Sequence, residues 1–173
     1  MGGTIDVESQ LGKGTVFTFI IPFKLAKPYE INALTQAKEM EYTLEGKRIL
    51  AAEDNEINRM IVVAILGDKG CELTEACNGQ EALEAFERSP EHYFDLILMD
   101  IQMPVMDGYE ATRQIRALPR PDAITVPIIA MTANAFREDI EKVLASGMND
   151  VATKPLDIKM LIKKIKRINN SEE

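Results

Sequence analysis

FDLILMDIQMPVMDG, residues 94–108, falls into two halves with different physics. Leu96, Ile97, Leu98 and Met99 form a short apolar run without polar breaks at helical spacing. Such a run suits a strand buried on both faces of a parallel sheet. The run ends on Asp100. An acid costs free energy to bury, so it belongs at the strand's end, facing water or a cation. Met103 and Pro104 stop the strand, and Asp107-Gly108 opens a helix. Open α/β sheets build their sites at the carboxyl ends of strands, and this strand delivers a carboxylate there.

Outward from this stretch, strand and helix alternate from Lys47 to the end of the chain. Arg48 to Ala52 reads as a strand ending on Glu53-Asp54. Ile57, Met60, Ile61, Ala64 and Ile65 have helical spacing, and Gly70 closes that helix. Cys71 to Ala76 is a second strand and Gln80 to Arg88 a second helix. After the central strand a third helix runs from about Gly108 to Arg116. The turn Pro119-Arg120-Pro121 leads to a fourth strand, Val126 to Met131. Phe136, Ile140, Val143 and Leu144 mark a fourth helix, ended by Gly147. Asp150 to Thr153 is the fifth strand, and Ile158, Leu161, Ile162 and Ile165 mark the fifth helix. Five βα units in succession predict an α/β fold: a parallel sheet covered on both faces, with right-handed crossovers.

In such a sheet the strands' carboxyl ends share one rim. They bring Glu53 and Asp54, then Asp100, Thr132 and Lys154 to it. Three carboxylates within a few ångströms repel and raise one another's pKa. A divalent cation relieves that repulsion, and Mg²⁺ suits it: hard oxygen ligands, one or two carboxylates, waters and a phosphate oxygen. The set suits phosphoryl transfer to a carboxylate. Asp100 attacks phosphorus, Mg²⁺ and Lys154 neutralise the equatorial oxygens, and Thr132 donates to one of them.

Lys47 to about Ile168 resembles the receiver domain of two-component response regulators over that domain's full length. The matching residues are Glu53-Asp54-Asn55, the block DLILMDIQMPVMDG, AMTAN at Ala130 to Asn134, and TKP at Thr153 to Pro155. The resemblance implies a five-stranded doubly wound sheet, flavodoxin-like, in the order 2-1-3-4-5. It implies that Asp100 is the phosphoacceptor, taking its phosphoryl group from a phosphohistidine. It implies metal ligation by Asp54 directly, by Glu53 through water, by Asp100 and by the backbone carbonyl of Gln102. Thr132 and Lys154 are then the phosphoryl-binding residues, and Lys154-Pro155 is expected to be cis. Gln102 and Asn134 flank the path of attacking water. One position departs from the family: three residues before the lysine an aromatic side chain usually reports phosphorylation, and here it is Val151.

MGGTIDVESQLGKGTVFTFIIPF, residues 1–23, reads as a β-hairpin around Gly12-Lys13-Gly14. It resembles the last two strands of the ATP-binding domain of sensor histidine kinases, without that family's nucleotide-binding residues, which lie upstream of this segment. Its Phe17, Phe19 and Ile21 stripe is expected to be an exposed edge, disordered or paired with a second copy in a homodimer. Residues 24–46 read as a linker that holds at most a short helix, and residues 169–173 as a tail. Together the two resemblances imply a piece of a hybrid sensor kinase.

Composition narrows the alternatives. Of 173 residues, 28% are charged, and the net charge of −8 lacks the basic stripe of a nucleic-acid binder. The run Lys163-Lys164-Ile165-Lys166-Arg167 fits the solvated face of the last helix. No apolar run approaches a membrane span. Cys71 and Cys77 form no C-x-x-C, so a reducing cytoplasmic setting is expected, with the parent protein free to be membrane-anchored. The lone histidine, His92, falls in a polar loop, so the donor is expected on another chain or elsewhere in a parent protein. This segment is therefore expected to be a relay module and not an enzyme. Two other readings compete: a phosphate-independent interaction domain, which would be expected to lose the acids or Lys154, and a magnesium phosphatase with an aspartyl nucleophile. The phosphatase needs a general acid two residues after the nucleophile, where this chain has Gln102.

Overall fold

The computed structural model describes residues 2–22, 44–133 and 136–169. The chain divides into two compact units, Met1–Glu41 and Tyr42–Glu173. In the first, β1 (Thr4–Gln10) pairs antiparallel with β2 (Gly14–Ile20), Ile5 opposite Phe19 and Val7 opposite Phe17. The turn between them needs a left-handed residue, supplied by Gly12 at φ 81°, and Lys13 N donates to Gln10 O. Period-two alternation puts Ile5, Val7, Phe17 and Phe19 on one face, and all four are exposed. Phe23 and nearly all of the linker, residues 24–43, lie outside the described residues.

The second unit is the predicted α/β sheet. Its strands are β3 (Arg48–Ala52), β4 (Glu72–Ala76), β5 (Leu96–Asp100), β6 (Ile128–Thr132) and β7 (Asp150–Thr153). All neighbours are parallel, in the order β4-β3-β5-β6-β7. Counted from β3, that is the expected 2-1-3-4-5. The helices are α1 (Glu56–Gly67), α2 (Gly79–Arg88), α3 (Gly108–Ala117), α4 (Asp122–Thr125), α5 (Arg137–Ala145) and α6 (Ile158–Asn169). No described helix is long and apolar enough to cross a membrane.

The strand alternation sorts the core into two layers. Leu50, Ala52, Ile97, Met99, Ile128 and Ala130 pack with Phe86 of α2, Ile115 of α3 and Val143 of α5. Ile49, Ala51, Leu96, Leu98, Ile129 and Met131 pack with Val62 and Leu66 of α1 and with Leu161, Ile162 and Ile165 of α6. Burying each of the larger of these side chains stabilises the fold by roughly 1.5–3 kcal/mol relative to leaving it exposed. Every residue of β5 is buried, as its unbroken apolar run requires.

Side-chain caps set where three of the helices start. Asn55 accepts from Asn58 N at 3.0 Å, Asn78 from Glu81 N at 2.9 Å, and Asp107 from Glu110 N at 2.8 Å. Gly108 is where α3 meets β5: a β-carbon there would collide with the carbonyl oxygen of Asp100.

One expectation needs correction, and two helices bury a face that spacing alone did not specify. The fourth strand starts at Ile128, because Val126 ends the short α4, which the sequence pattern does not reveal. That turn is held by tertiary contacts. Arg120 pairs with buried Asp122 at 2.7 Å and donates to Phe86 O, Ser89 O and Pro90 O, while Asp122 accepts from His92 N. On α1 the evenly spaced Ile57, Met60 and Ile61 are exposed, at 68%, 64% and 48%, and the helix buries Val62 and Leu66 instead. On α5 only Val143 of the four marker residues is buried.

Candidate functional site

Glu53 and Asp54 directly follow β3, Asp100 ends β5, Thr132 ends β6 and Lys154 directly follows β7. All five therefore lie at one edge of the parallel sheet. Carboxylate oxygens of Glu53, Asp54 and Asp100 come within 4.8 Å of one another. Glu53 and Asp100 are buried and Asp54 is exposed.

Lys154 joins two of these acids. Its ammonium lies 2.6 Å from Asp100 Oδ2 and 2.5 Å from Glu53 Oε2. The Lys154 ammonium is the partner of the buried Glu53 Oε2. Asp100 Oδ1 accepts from Gln102 N at 3.3 Å. Lys154 N donates to Thr132 O at 2.8 Å, which ties the chain carrying the ammonium to the strand end carrying the hydroxyl. The Lys154-Pro155 peptide is cis. Asp100, Gln102 and Thr132 line an open cleft of 410 Å³, with Tyr109 of α3 and with Asp139 and Lys142 of α5. Asn134 lies outside the described residues.

Electrostatics at the site differ in one respect from the expectation of mutual repulsion. The Asp100 carboxyl is raised above its ordinary value of 3.8 chiefly by burial; the Glu53 charge adds to this, and Lys154 and Gln102 N oppose it. Burial also works against the charge on Lys154, but the hydrogen bonds and charges of Asp100 and Glu53 outweigh it, and its pKa is raised. An ammonium thus already compensates the acid pair.

The donor set suits a hard cation. It offers carboxylate oxygens only, in a partly open cluster. Mg²⁺ is held in this way, by one or two carboxylates and waters, whereas Zn²⁺ favours nitrogen and sulfur.

Two supporting residues are absent from the sequence reading. Asn58 Nδ2 donates to Glu53 Oε1 at 3.0 Å, and Arg59 Nη1 donates to Glu53 O at 2.8 Å. Their sequence signal is an asparagine and an arginine one helical turn past the acid pair. That spacing reaches back to the strand end only once the cap at Asn55 sets the helix direction.

The sequence profile of the response regulator receiver domain matches residues 49–166. Across its whole length the chain is 34% identical to the aerobic respiration control sensor protein ArcB of Escherichia coli K12, of which it covers 21%. It spans only 7% to 21% of the length of the curated relatives it matches. The receiver domain of a sensor histidine kinase from Pseudomonas aeruginosa PAO1 is 42% identical and superposes with a TM-score of 0.64. That match covers 72% of this chain and 98% of the other, whose crystal structure has a magnesium ion coordinated in the active site cleft. A co-crystal structure of the Saccharomyces cerevisiae histidine phosphotransfer protein Ypd1 with the receiver domain of its downstream response regulator Ssk1 also matches. There the identity is 34% and the TM-score 0.61, over 70% of this chain and 88% of the other.

Proposed function

The chain belongs to the response regulator receiver domain family over residues 49–166, and from that premise we propose that it is the phosphoacceptor of a phosphorelay. The observation that carries the reading is the ammonium of Lys154 placed between Glu53 and the buried strand-end Asp100, with Asp54 beside them. In the proposed reaction an Asp100 carboxylate oxygen forms a bond to phosphorus as the bond from phosphorus to the donor's imidazole nitrogen breaks. The imidazole leaves with that electron pair, and an aspartyl phosphate remains. Mg²⁺, held by Asp54, Asp100 and the Gln102 carbonyl, with Glu53 acting through water, supplies charge neutralisation on the phosphoryl oxygens. Lys154 leaves Asp100 Oδ2 to pair with one of those oxygens, and Thr132 donates its hydroxyl to another.

The donor in this reading is a phosphohistidine of a kinase or phosphotransfer protein. Exposed Ile57, Met60 and Ile61 on the first two turns of α1 suit such a partner, since clustered apolar side chains beside a reactive group mark docking surfaces. The parent is a hybrid sensor kinase whose ATP-binding domain ends in the β1–β2 hairpin, and the fragment itself is a relay module. The domain limits proposed are 1–23 for the hairpin, 24–46 for the linker, 47–168 for the receiver and 169–173 for the tail. The setting is cytoplasmic, in keeping with the two free cysteines. A copy-to-copy pairing of hairpin edges belongs to the same proposal.

Intact-mass measurement after incubation with acetyl phosphate tests the central claim. One phosphoryl group is expected on wild type with Mg²⁺, and none on Asp100→Asn or in EDTA. Equal labelling of wild type and Asp100→Asn, or labelling that survives EDTA, ends it.

A further inference from the structure

Glu53 is 1% exposed, and a carboxylate so deeply buried needs fixed partners. It has two, one on each oxygen. Asn58 donates to Oε1, and the Lys154 ammonium faces Oε2. These partners differ in kind. Lys154 is shared with Asp100 and, in the phosphorelay reading on which this inference rests, moves to the incoming phosphoryl group. Asn58 has no second acid to serve, and its backbone is set by the helix cap, through Asn58 N to Asn55 Oδ1. It is the partner that stays.

Arg59 holds the same pair by its main chain. Its Nη1 donates to Glu53 O at 2.8 Å and to Asp54 O at 3.4 Å, while Nε pairs with Glu75 Oε2 at 3.2 Å at the end of β4. The guanidinium thereby ties the loop after β3 to the neighbouring strand. Adjacent residues on α1 thus divide the work: the amide orients the Glu53 carboxylate, and the guanidinium fixes the backbone from which both acids project.

We propose that Asn58 and Arg59 are positioning residues for the divalent-cation site, setting its affinity without touching the cation. The physical reason is preorganisation. Without Asn58, Glu53 Oε1 loses its donor and the carboxylate turns to follow Lys154, the one charged partner left to it. The acid pair must then be reoriented whenever a cation binds, and that reorientation costs binding free energy. Loss of groups that orient a site from behind typically lowers metal affinity 10–100-fold.

The test uses the full chain and Mg²⁺ alone. Calorimetric titration gives the affinity, and urea unfolding with and without Mg²⁺ gives the stabilisation that binding adds. Asn58→Leu keeps the shape and removes the donor. It is expected to weaken Mg²⁺ binding about tenfold, cutting the Mg²⁺-dependent stabilisation by about 1.4 kcal/mol at a fixed concentration well above the dissociation constant. Asn58→Gln restores an amide donor and is expected to recover part of that loss. Arg59→Met keeps the stem, removes the guanidinium and is expected to weaken binding through the backbone route. A merely structural role would lower stability equally with and without Mg²⁺ and leave affinity alone. Wild-type affinity in both Asn58→Leu and Arg59→Met overturns the proposal while leaving the phosphorelay reading intact. A wild-type chain that binds no Mg²⁺ overturns that reading, and this proposal with it.

Discussion

At the scale of single residues, Asp100 sits where function and stability oppose each other. Its carboxyl is raised above 3.8, with burial as the leading cause. A carboxyl whose folded-state pKa exceeds its unfolded value favours the fold in its protonated form. That contribution is fully present below the unfolded-state pKa and is lost as pH rises through the folded-state one. Asp100→Asn removes this titration. Without Mg²⁺, the stability of the variant relative to wild type is therefore expected to grow as pH rises from about 4 toward neutrality. Urea unfolding at a series of pH values measures the difference, and a difference that shrinks with rising pH reverses the sign and rejects the argument. Asp122 has the opposite sign. The Arg120 guanidinium holds its carboxyl below the ordinary range despite burial, so its stabilising contribution is lost only as pH falls through its folded-state value. Two buried acids of one fold thus titrate in opposite directions, according to whether charge pairing or desolvation dominates. Cys71 takes no part in such chemistry, since burial pushes its thiol up to about 11.

At the scale of elements, α1 and β7 carry the predictions. The outer face of α1 exposes Ile57, Met60 and Ile61 beside Asp54, and none of the three belongs to the buried core. Met60→Glu and Ile61→Glu should therefore fold normally and accept phosphate from acetyl phosphate at the wild-type rate. Transfer from a histidine phosphoprotein should fall at least about tenfold, as when a buried interface anchor is lost. Equal losses with both donors would place the effect in the site and not on the docking face. On β7, Val151 is buried in the core layer that contains Ala130 of β6 and Val143 of α5, and it lines a cleft of 360 Å³ with Ile140 and Met160. A valine has no ring to swing between buried and exposed positions, so this strand has little differential contact with which to bias two states. The response to beryllofluoride is expected to centre on the segment after Thr132. Amide exchange with and without beryllofluoride checks this, and protection changes on β7 as large as those after Thr132 would count against it.

At the scale of the whole molecule, the two units differ in what holds them. Tyr42–Glu173 has a two-sided core, whereas every residue of β1 and β2 is exposed and the two strands are joined by their antiparallel ladder. An isolated hairpin is marginal in water. A chain starting at Leu44 is therefore expected to match the full chain in unfolding midpoint and in Asp100 labelling, and neither chain is expected to bind ATP. Urea unfolding and intact-mass labelling of both, alongside a nucleotide titration, are the check. A lower midpoint for the shorter chain, or measurable ATP affinity, would count against this. Much of this molecule is legible in its sequence because period and punctuation are local. The run Leu96 to Met99 ending on Asp100 and the helix start at Asp107-Gly108 follow from neighbouring residues, and so do the strand ends that bring Glu53, Asp54, Asp100, Thr132 and Lys154 to one rim. Apolar spacing alone does not say which stripe of α1 faces the sheet: Ile57, Met60 and Ile61 are as regular as Val62 and Leu66, and only packing against β3 and β5 chooses between them. The short helix at Asp122 depends on Arg120 reaching carbonyls more than thirty residues away. The grip of Asn58 and Arg59 on Glu53 likewise exists only once the helix has folded back over the strand end. Backbone periodicity and strand-end chemistry are written in adjacent residues; the choice of buried face and the hydrogen bonds that orient buried charge arise from groups that meet only in three dimensions.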